Sequence, residues 1–416
     1  MDEPYLIRRA ARAYVLVAVA LAALVAAAVV YLWPVLNAHL RSSQPDPNAP
    51  VPGTLSAMDW TSARVGWLVV SSPPPLRSTL YRTTDGGGHW RPIRSSRGLL
   101  SAAFSDSRHG VAAAHTGSLS TNPGWGPVFR TADGGAHWAR MPVPDRQLLG
   151  LPDFVDNTHG WLLGGDAPPV PNPWDSGPPP EQNVRLWYTA DAGQHWRLLL
   201  QTDRDHPLSQ GISEDGAKEW ISFDDLEHGW LASTVAGGKA ELFRSQDGGI
   251  SWEAVPLPPP GEGWPPGVAL PTSVEVSANG AGALVVSDYP SPAAGTPPPP
   301  RTWVWSTRDG GRTWLDPVEL PVAVLAVQPT FPDGGSGWWA AGSRVWTSRD
   351  WGQTWQQAGD LPHGWSFNRL VAEDGSVAWA EAIRTPYVSG RLYATVDGGR
   401  HWRQVSLPAT VLPIGT

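Results

Sequence analysis

Seven near-copies of one octapeptide constrain the fold of this chain more than any other feature of its sequence. The first copy, TTDGGGHW, runs from Thr83 to Trp90, and every copy has Asp at its third position and Trp at its eighth. The aspartates are Asp85, Asp133, Asp191, Asp247, Asp309, Asp350 and Asp397, and the tryptophans are Trp90, Trp138, Trp196, Trp252, Trp314, Trp355 and Trp402. Seven copies cannot each be the active site of one enzyme, so the octapeptide predicts an internal structural repeat.

A second signature precedes most octapeptides and makes the repeating unit longer than a turn. It consists of an apolar residue, Asp, a short polar turn, Gly and an apolar strand, as in FSDSRHGVAA (Phe104 to Ala113) and FDDLEHGWLA (Phe223 to Ala232). The fifth unit, VEVSANGAGALVVS, keeps the turn and the strand but lacks the Asp. One period reads as strand, turn, strand, variable loop, strand, octapeptide turn and strand, which predicts a four-stranded antiparallel meander.

The residue types of the octapeptide are those that a tight hairpin turn needs. Asp accepts hydrogen bonds from backbone N–H groups across a turn, and Gly adopts positive φ angles without a steric clash. The closing Trp supplies a large, flat apolar surface for packing. We therefore predict that the seven aspartates and the seven tryptophans have a structural role.

The spacing of the repeats predicts the fold class. Successive octapeptide aspartates lie between 41 and 62 residues apart, which suits one four-stranded blade plus a loop of varying length. We therefore expect an all-β fold: a seven-bladed β-propeller of four-stranded antiparallel blades over residues 54–416. A sheet array that closes into a ring leaves only short, protected edges.

The octapeptides resemble the Asp-box, also called the bacterial neuraminidase repeat. Their pairing with an Asp…His-Gly-Trp turn resembles the propellers of the photosystem II stability/assembly-factor-like family, over about residues 53–410. That resemblance implies the propeller fold and a role in building a membrane complex. Sialidases, xyloglucan-degrading hydrolases and sortilin-type receptors carry similar boxes, so the repeat indicates the fold more strongly than the function.

The N-terminal segment is typical of a membrane anchor. Arg8, Arg9 and Arg12 precede an uncharged run of 24 residues from Ala13 to Leu36. At 1.5 Å per residue such a helix is about 36 Å long, enough to cross a bilayer core of about 30 Å. A cleaved signal peptide is the alternative, but its apolar core is usually shorter.

The predicted topology follows from the position of these arginines. Residues 1–12 are expected in the cytoplasm, 13–36 in the cell membrane as one transmembrane helix, and 37–53 as a Pro-rich linker. The propeller is then extracytoplasmic. Cysteine is absent, so an extracytoplasmic domain must be stable through its own core.

Charge and histidine placement exclude two classes of ligand. The chain carries −8 overall and its first 41 residues +2, which leaves −10 on the remainder and argues against nucleic acid. Seven of the eleven histidines occupy repeat positions, and the other four are scattered without ligand spacing: His39, His115, His206 and His363. No metal or cofactor site is therefore predicted.

The sequence lacks the residue pattern of a glycosidase. A sialidase needs an arginine cluster that binds the substrate carboxylate, and glycosidases in general need two suitably placed carboxylates. Arg82, Arg130 and Arg244 instead share one position before an octapeptide. We expect a protein that is not an enzyme, although a carboxylate pair assembled from different blades stays possible.

Loop lengths distinguish the two faces of the predicted propeller. One face repeats short turns, whereas the other has four long loops: Asp166 to Val184, Gln201 to Trp220, Pro256 to Val268 and Tyr289 to Arg301. Loops on a rigid scaffold usually carry recognition, so this face, with Trp174 and Trp264, is the predicted binding face for a protein or glycan partner. The sequence favours a non-catalytic binding or assembly scaffold. The alternatives are a sialidase-like glycoside hydrolase and a carbohydrate-binding or sensor module.

Overall fold

The computed structural model describes residues 54–408, except 73–76, 116–124, 146, 167–180, 236–238, 262–266, 278, 291–300, 321–325, 334 and 385–386. The predicted cytoplasmic segment, transmembrane helix and linker therefore lie outside the described residues. No helix in the described part of the chain is long and apolar enough to cross a membrane.

The described residues form seven four-stranded antiparallel sheets, and the strands of each sheet follow one another along the chain. The first three blades consist of β1 (Thr54–Trp60), β2 (Gly66–Ser72), β3 (Arg77–Thr83) and β4 (Arg91–Arg97); β5 (Leu100–Phe104), β6 (Gly110–His115), β7 (Trp125–Thr131) and β8 (Ala139–Met141); and β9 (Asp153–Phe154), β10 (Gly160–Gly165), β11 (Val184–Thr189) and β12 (Arg197–Thr202). A two-stranded hairpin, β13 (Leu208–Ser209) and β14 (Ile212–Ser213), follows the third blade.

The remaining four blades have the same order of strands. They consist of β15 (Ala217–Phe223), β16 (Gly229–Thr234), β17 (Ala240–Ser245) and β18 (Glu253–Val255); β19 (Gly267–Val276), β20 (Gly282–Pro290), β21 (Arg301–Thr307) and β22 (Val318–Glu319); β23 (Ala326–Asp333), β24 (Ser336–Ala341), β25 (Arg344–Ser348) and β26 (Gln356–Asp360); and β27 (Ser366–Ala372), β28 (Ala378–Arg384), β29 (Tyr387–Thr395) and β30 (Arg403–Val405). The predicted seven-bladed propeller of four-stranded antiparallel blades is confirmed.

Side-chain contacts close the ring between the first and seventh blades. Each blade is one contiguous stretch of chain, so no strand is exchanged across this junction. Trp60 of β1 stacks on Trp379 of β28 with ring centroids 3.9 Å apart and planes 5° from parallel. The Trp90 indole N–H donates to the carbonyl oxygen of Ser406 at 2.8 Å. Because nothing covalent bridges the junction, closure depends on these contacts.

All seven octapeptides form one type of hydrogen-bonded turn. In the first, the Thr83 hydroxyl donates to Asp85 Oδ1 at 2.8 Å and accepts from Gly87 N at 2.9 Å. Asp85 Oδ1 also accepts from His89 N at 2.9 Å. Gly87 has a φ of +91°, and a Cβ there would lie 2.3 Å from Val405 Cγ1 of the seventh blade. The second glycine thus permits both the turn and close approach of the preceding blade.

The octapeptide turn and the Asp…Gly turn of each blade lie on one face, because a backbone hydrogen bond joins them. In the fourth blade Gly248 N donates to the carbonyl oxygen of Glu227 at 2.9 Å. The same bond occurs in the other six blades, from Gly86 to Arg64, Gly134 to Arg108, Ala192 to Thr158, Gly310 to Gly280, Trp351 to Gly335 and Gly398 to Ser376. We call this face the repeat-turn face and the opposite one the loop face.

Aromatic stacks fill the space between several blades. Trp67 of the first blade stacks on Phe104 of the second, and Trp161 of the third on Phe223 of the fourth, each with centroids 3.7 Å apart. Among the octapeptide tryptophans, Trp252 and Trp314 are buried and the other five are half-buried. This packing accords with the predicted structural role of the octapeptides, which stays a prediction until the residues are changed.

The loop from Gln201 to Trp220 is not an open recognition loop over most of its length. Gln210 and Gly211 both have positive φ, and their turn joins β13 to β14. Ile212 is fully buried beside Leu200 and Trp252, and Trp252 N donates to the Gln210 carbonyl oxygen at 2.8 Å. The hairpin therefore packs between the third and fourth blades, because burying the apolar Ile212 side chain is more favourable than leaving it in solvent.

Candidate functional site

The residues predicted for the binding face lie outside the described part of the chain. Trp174 and Trp264 belong to segments 167–180 and 262–266, so their prediction is untested. The octapeptide aspartates are described, and their oxygens are occupied by hydrogen bonds within the turn. The backbone N–H and ring of His195 lower the pKa of Asp191 to about 2, and the ring and backbone N–H of His401 lower that of Asp397 to about 2. Such carboxylates are ionised and paired, which makes them poor general acids or bases.

The first strands of the blades surround the central channel of the propeller. β1 lies against β5 and β27, β15 against β9 and β19, and β23 against β19 and β27. A first strand is thus covered by its own second strand along one edge and by neighbouring blades on both faces. An exposed side chain in such a strand must open into the channel.

An extra residue interrupts the first strand at the same level in five blades. The register shifts lie between Leu55 and Ala57, Lys218 and Trp220, Pro271 and Ser273, Val327 and Thr330, and Phe367 and Arg369. A β-bulge bends the strand and redirects a side chain. The first residue inside each shift, where its side chain is described, is polar: Ser56, Thr272, Gln328 and Asn368.

These bulge side chains bond to neighbouring strands and blades. The Thr272 hydroxyl of the fifth blade donates to Gln328 Oε1 of the sixth at 3.2 Å, and Gln328 Nε2 donates to the Ser287 hydroxyl at 2.9 Å. Asn368 Nδ2 donates to Glu381 Oε2 at 2.7 Å. Gln328 and Asn368 remain exposed, so the sixth and seventh blades contribute neutral hydrogen-bonding groups to the channel towards the loop face.

Carboxylates from three consecutive blades form a second tier near the repeat-turn face. Asp153, at the start of β9, accepts from Phe223 N at 2.8 Å, and Asp224 accepts from the Trp230 indole N–H at 3.0 Å. Glu275 lies near the end of β19. Solvent reaches Asp224 and Glu275, yet protein atoms surround them on most sides, as at the mouth of a channel.

The surroundings of these three groups raise their pKa values. Burial raises the pKa of Asp153 to about 6, and burial with repulsion from Asp225 and Asp153 raises the pKa of Asp224 to about 6. Burial and the charge of Asp224 raise the pKa of Glu275 to about 7. The blades thus bring interacting carboxylates together, the arrangement that the sequence left open. Carboxyl groups of this pKa are suited to proton transfer near neutral pH.

Asp153 also lines a cleft between the second and third blades. The cleft has a volume of about 610 Å³, opens on the repeat-turn face, and includes His109, Arg130 and Asp156 in its walls. Within the described residues, no group of three His, Cys, Asp or Glu side chains is placed to hold a metal ion. The cleft therefore has polar and titratable walls without a set of metal ligands.

Lys218 is a buried lysine that sequence reasoning did not single out. It lies on β15, is 1% exposed, and its ammonium group donates to the carbonyl oxygens of Asp215 and Gly216. Burial lowers its pKa to about 8. Its hydrogen bonds hold the connection before β15 in place. Because protein atoms cover the Lys218 side chain, it does not contact a ligand that approaches from solvent.

The fold and the channel define a seven-bladed β-propeller protein, and several known structures resemble the chain. No protein-family model and no curated protein sequence matches. The solved structure of YCF48 bound to D1 peptide is 17% identical with a TM-score of 0.48, over 86% of this chain and 96% of that one. YCF48 from Cyanidioschyzon merolae is 15% identical with a TM-score of 0.45, over 82% and 95%.

Propeller enzymes match this chain as well. The polysaccharide lyase Uly1 is 9% identical with a TM-score of 0.51, over 86% of this chain and 91% of that one. The GH74 xyloglucanase from Xanthomonas campestris is 15% identical with a TM-score of 0.30, over 81% and 62%. At these identities the likeness concerns the fold alone, and both binding proteins and enzymes share it.

Proposed function

We propose that this chain is a membrane-tethered, extracytoplasmic propeller that binds a partner as a non-catalytic assembly scaffold. The difference between the two faces carries the proposal. The repeat-turn face consists largely of similar turns whose aspartates are occupied by internal hydrogen bonds, as for Asp85 and Asp133. The loop face receives loops that differ in length and composition. A scaffold with long, variable loops on one face and short, similar turns on the other is suited to presenting a recognition surface on the loop face.

The tether is part of this proposal, and the apolar run from Ala13 to Leu36 behind three arginines motivates it. Protease added to intact cells is expected to digest the propeller and leave the N-terminal segment protected, because that segment is cytoplasmic. Immunoblotting with tags at the two termini measures this. A soluble, processed chain that begins near residue 38 would contradict the anchor.

Partner capture by the full-length chain is expected to depend on the loop face. Replacing Trp174 and Trp264 together with Ser, or shortening the loop from Asp166 to Val184, should remove most of the captured partner, because exposed aromatic residues often dominate interfaces. Affinity capture followed by mass spectrometry measures the loss. The shortened loop keeps Gln182, which is buried and accepts from Lys218 N, so the melting temperature should hardly change. The control Asn157→Ser, in a turn on the repeat-turn face, should capture normally.

Glycoside hydrolysis is the second candidate, and Asp153, Asp224 and Glu275 are the observation that favours it. Incubation of the purified chain with polysaccharide panels tests it by release of reducing ends. Release that is lost in Glu275→Gln at an unchanged melting temperature would replace the non-catalytic proposal.

In the capture experiment, equal recovery of the partner by wild type and both loop variants would show that the partner binds outside the loop face. That outcome would not bear on catalysis.

A further inference from the structure

The fourth blade departs from the other blades at the tips of both its turns. Leu226 in the Asp…Gly turn is 47% exposed, and Ile250 in the octapeptide is 48% exposed. The residues equivalent to Leu226 in the other blades are Ala63, Ser107, Asn157, Asn279, Gly334 and Gly375. Those equivalent to Ile250 are Gly88, Ala136, Gln194, Arg312, Gln353 and Arg400. Of the seven blades, the fourth alone has a large aliphatic residue at these two sequence positions, and it has one at each.

The two departures are neighbours in space. The hydrogen bond from Gly248 N to the Glu227 carbonyl oxygen, 2.9 Å, joins the two turns, and a Cβ at Gly248 would lie 2.7 Å from Leu226 O. The tip of the β13–β14 hairpin contacts the same blade, since Trp252 N donates to the Gln210 carbonyl oxygen at 2.8 Å, and Leu208 on that hairpin is 69% exposed. An exposed apolar patch at adjacent positions indicates an interaction site, whereas scattered single residues would not.

Negative charge surrounds this patch. Asp225 and Glu227 flank Leu226 directly in the chain, whereas the equivalent positions of the third blade are Asp156 and Thr158. The nearby basic side chains already have partners, since His228 Nδ1 lies 2.9 Å from Asp225 Oδ2 and Arg244 pairs with Glu253. The patch therefore combines aliphatic side chains with an acidic rim.

We propose that the turn tips of the fourth blade dock a segment of a partner protein in which basic residues alternate with aliphatic ones. The aliphatic residues would pack on Leu226 and Ile250, and the cations would face the acidic rim. A second copy of this chain fits less well, because residues 42–416 carry −10 and two acidic rims would repel each other. This surface lies on the repeat-turn face and is separate from the loop-face site proposed above.

Fluorescence polarisation with the full-length chain in detergent tests the docking surface. The probe is a labelled hexapeptide of alternating Arg and Leu, and the same peptide with Glu for Arg is its control. Wild type should bind the basic peptide more tightly at low than at high salt and should not bind the acidic one. Leu226→Asn with Ile250→Gln copies the third blade and should weaken binding at least about tenfold. Glu227→Gln should weaken binding and reduce its dependence on salt.

The matched control is Asn157→Ser with Gln194→Ser, at the same tips of the third blade, which should bind like wild type. Unchanged affinity in the Leu226 and Ile250 variant, or equal binding of the acidic peptide, would overturn the docking proposal. Sedimentation of the wild type and of the Leu226 and Ile250 variant tests for self-association. A dimer that forms in the wild type and is lost in the variant would show that a second copy occupies the surface, which would also overturn the docking proposal. These outcomes leave the loop-face proposal unaffected, since that depends on partner capture by loop variants.

Discussion

Replacing Trp379 with Ala is expected to lower the free energy of unfolding by about 3–5 kcal/mol, the usual cost of removing a buried large side chain. Trp379 is 2% exposed and stacks on Trp60 at 3.9 Å across the junction of the first and seventh blades. The cavity would open where no covalent link holds the ring. We therefore expect a looser ring as well as a weaker core, measured by denaturant unfolding and small-angle scattering.

Trp67→Ala is the matched control for ring closure. Trp67 is 1% exposed and stacks on Phe104 at 3.7 Å, so its removal should cost a similar free energy of unfolding. The chain runs directly from β4 to β5 at this junction, which keeps the first and second blades together. The radius of gyration should therefore rise in Trp379→Ala and stay near the wild-type value in Trp67→Ala. Equal radii in the two variants would show that closure does not depend on the Trp60 stack.

The repeat was predictable because each turn is determined by neighbouring residues. Residues within seven positions make the side-chain bonds of the octapeptide turn, as Thr83, Asp85 and His89 do. Even the degenerate fifth unit keeps its Asp…Gly turn without the Asp, since Asn279 Oδ1 accepts from Ala281 N at 2.9 Å, the amide equivalent to the His228 N–H from which Asp225 accepts in the fourth blade. Local chemistry of this kind can be read from one sequence.

The channel could not be predicted in the same way, because it depends on which strands meet. A bulge exists only relative to its partner strand, so nothing in the sequence around Asn368 or Gln328 reveals it. The carboxylate tier had a weak signal. Asp153 and Glu275, two members of this tier, each precede the apolar residue that ends the first strand of the blade. Their position at the channel becomes evident only when the seven blades are assembled into the ring.

Removing Arg369 while keeping Glu381 is expected to cost about 3–5 kcal/mol, because it leaves a carboxylate buried without its cation. Glu381 is 3% exposed, and Arg369 pairs with it while donating to the Leu55 carbonyl oxygen of the first blade at 3.1 Å. The Asn368 amide would remain bonded to Glu381, but it cannot neutralise the charge. Arg369→Met followed by chemical denaturation measures the cost.

The exposed pair Arg344 and Asp360 supplies the control, because its atoms are 4.0 Å apart with both side chains more than half exposed. Arg344→Met should change the free energy of unfolding by less than about 1 kcal/mol. The double variant Arg369→Met with Glu381→Met should recover much of the loss, since an apolar pair replaces the stranded charge.

The pH dependence of Arg369→Met separates a stranded charge from a simple loss of packing. Burial raises the pKa of Glu381 in the wild type, and Arg369 opposes that rise. Without the arginine the folded-state pKa climbs further above the unfolded value, so the protonated form is favoured by folding. That contribution is present at low pH and is lost as the pH rises through the folded-state pKa. The destabilisation should therefore be smallest in acid, where Glu381 is protonated, and should grow as the pH rises, whereas lost packing would give the same difference throughout.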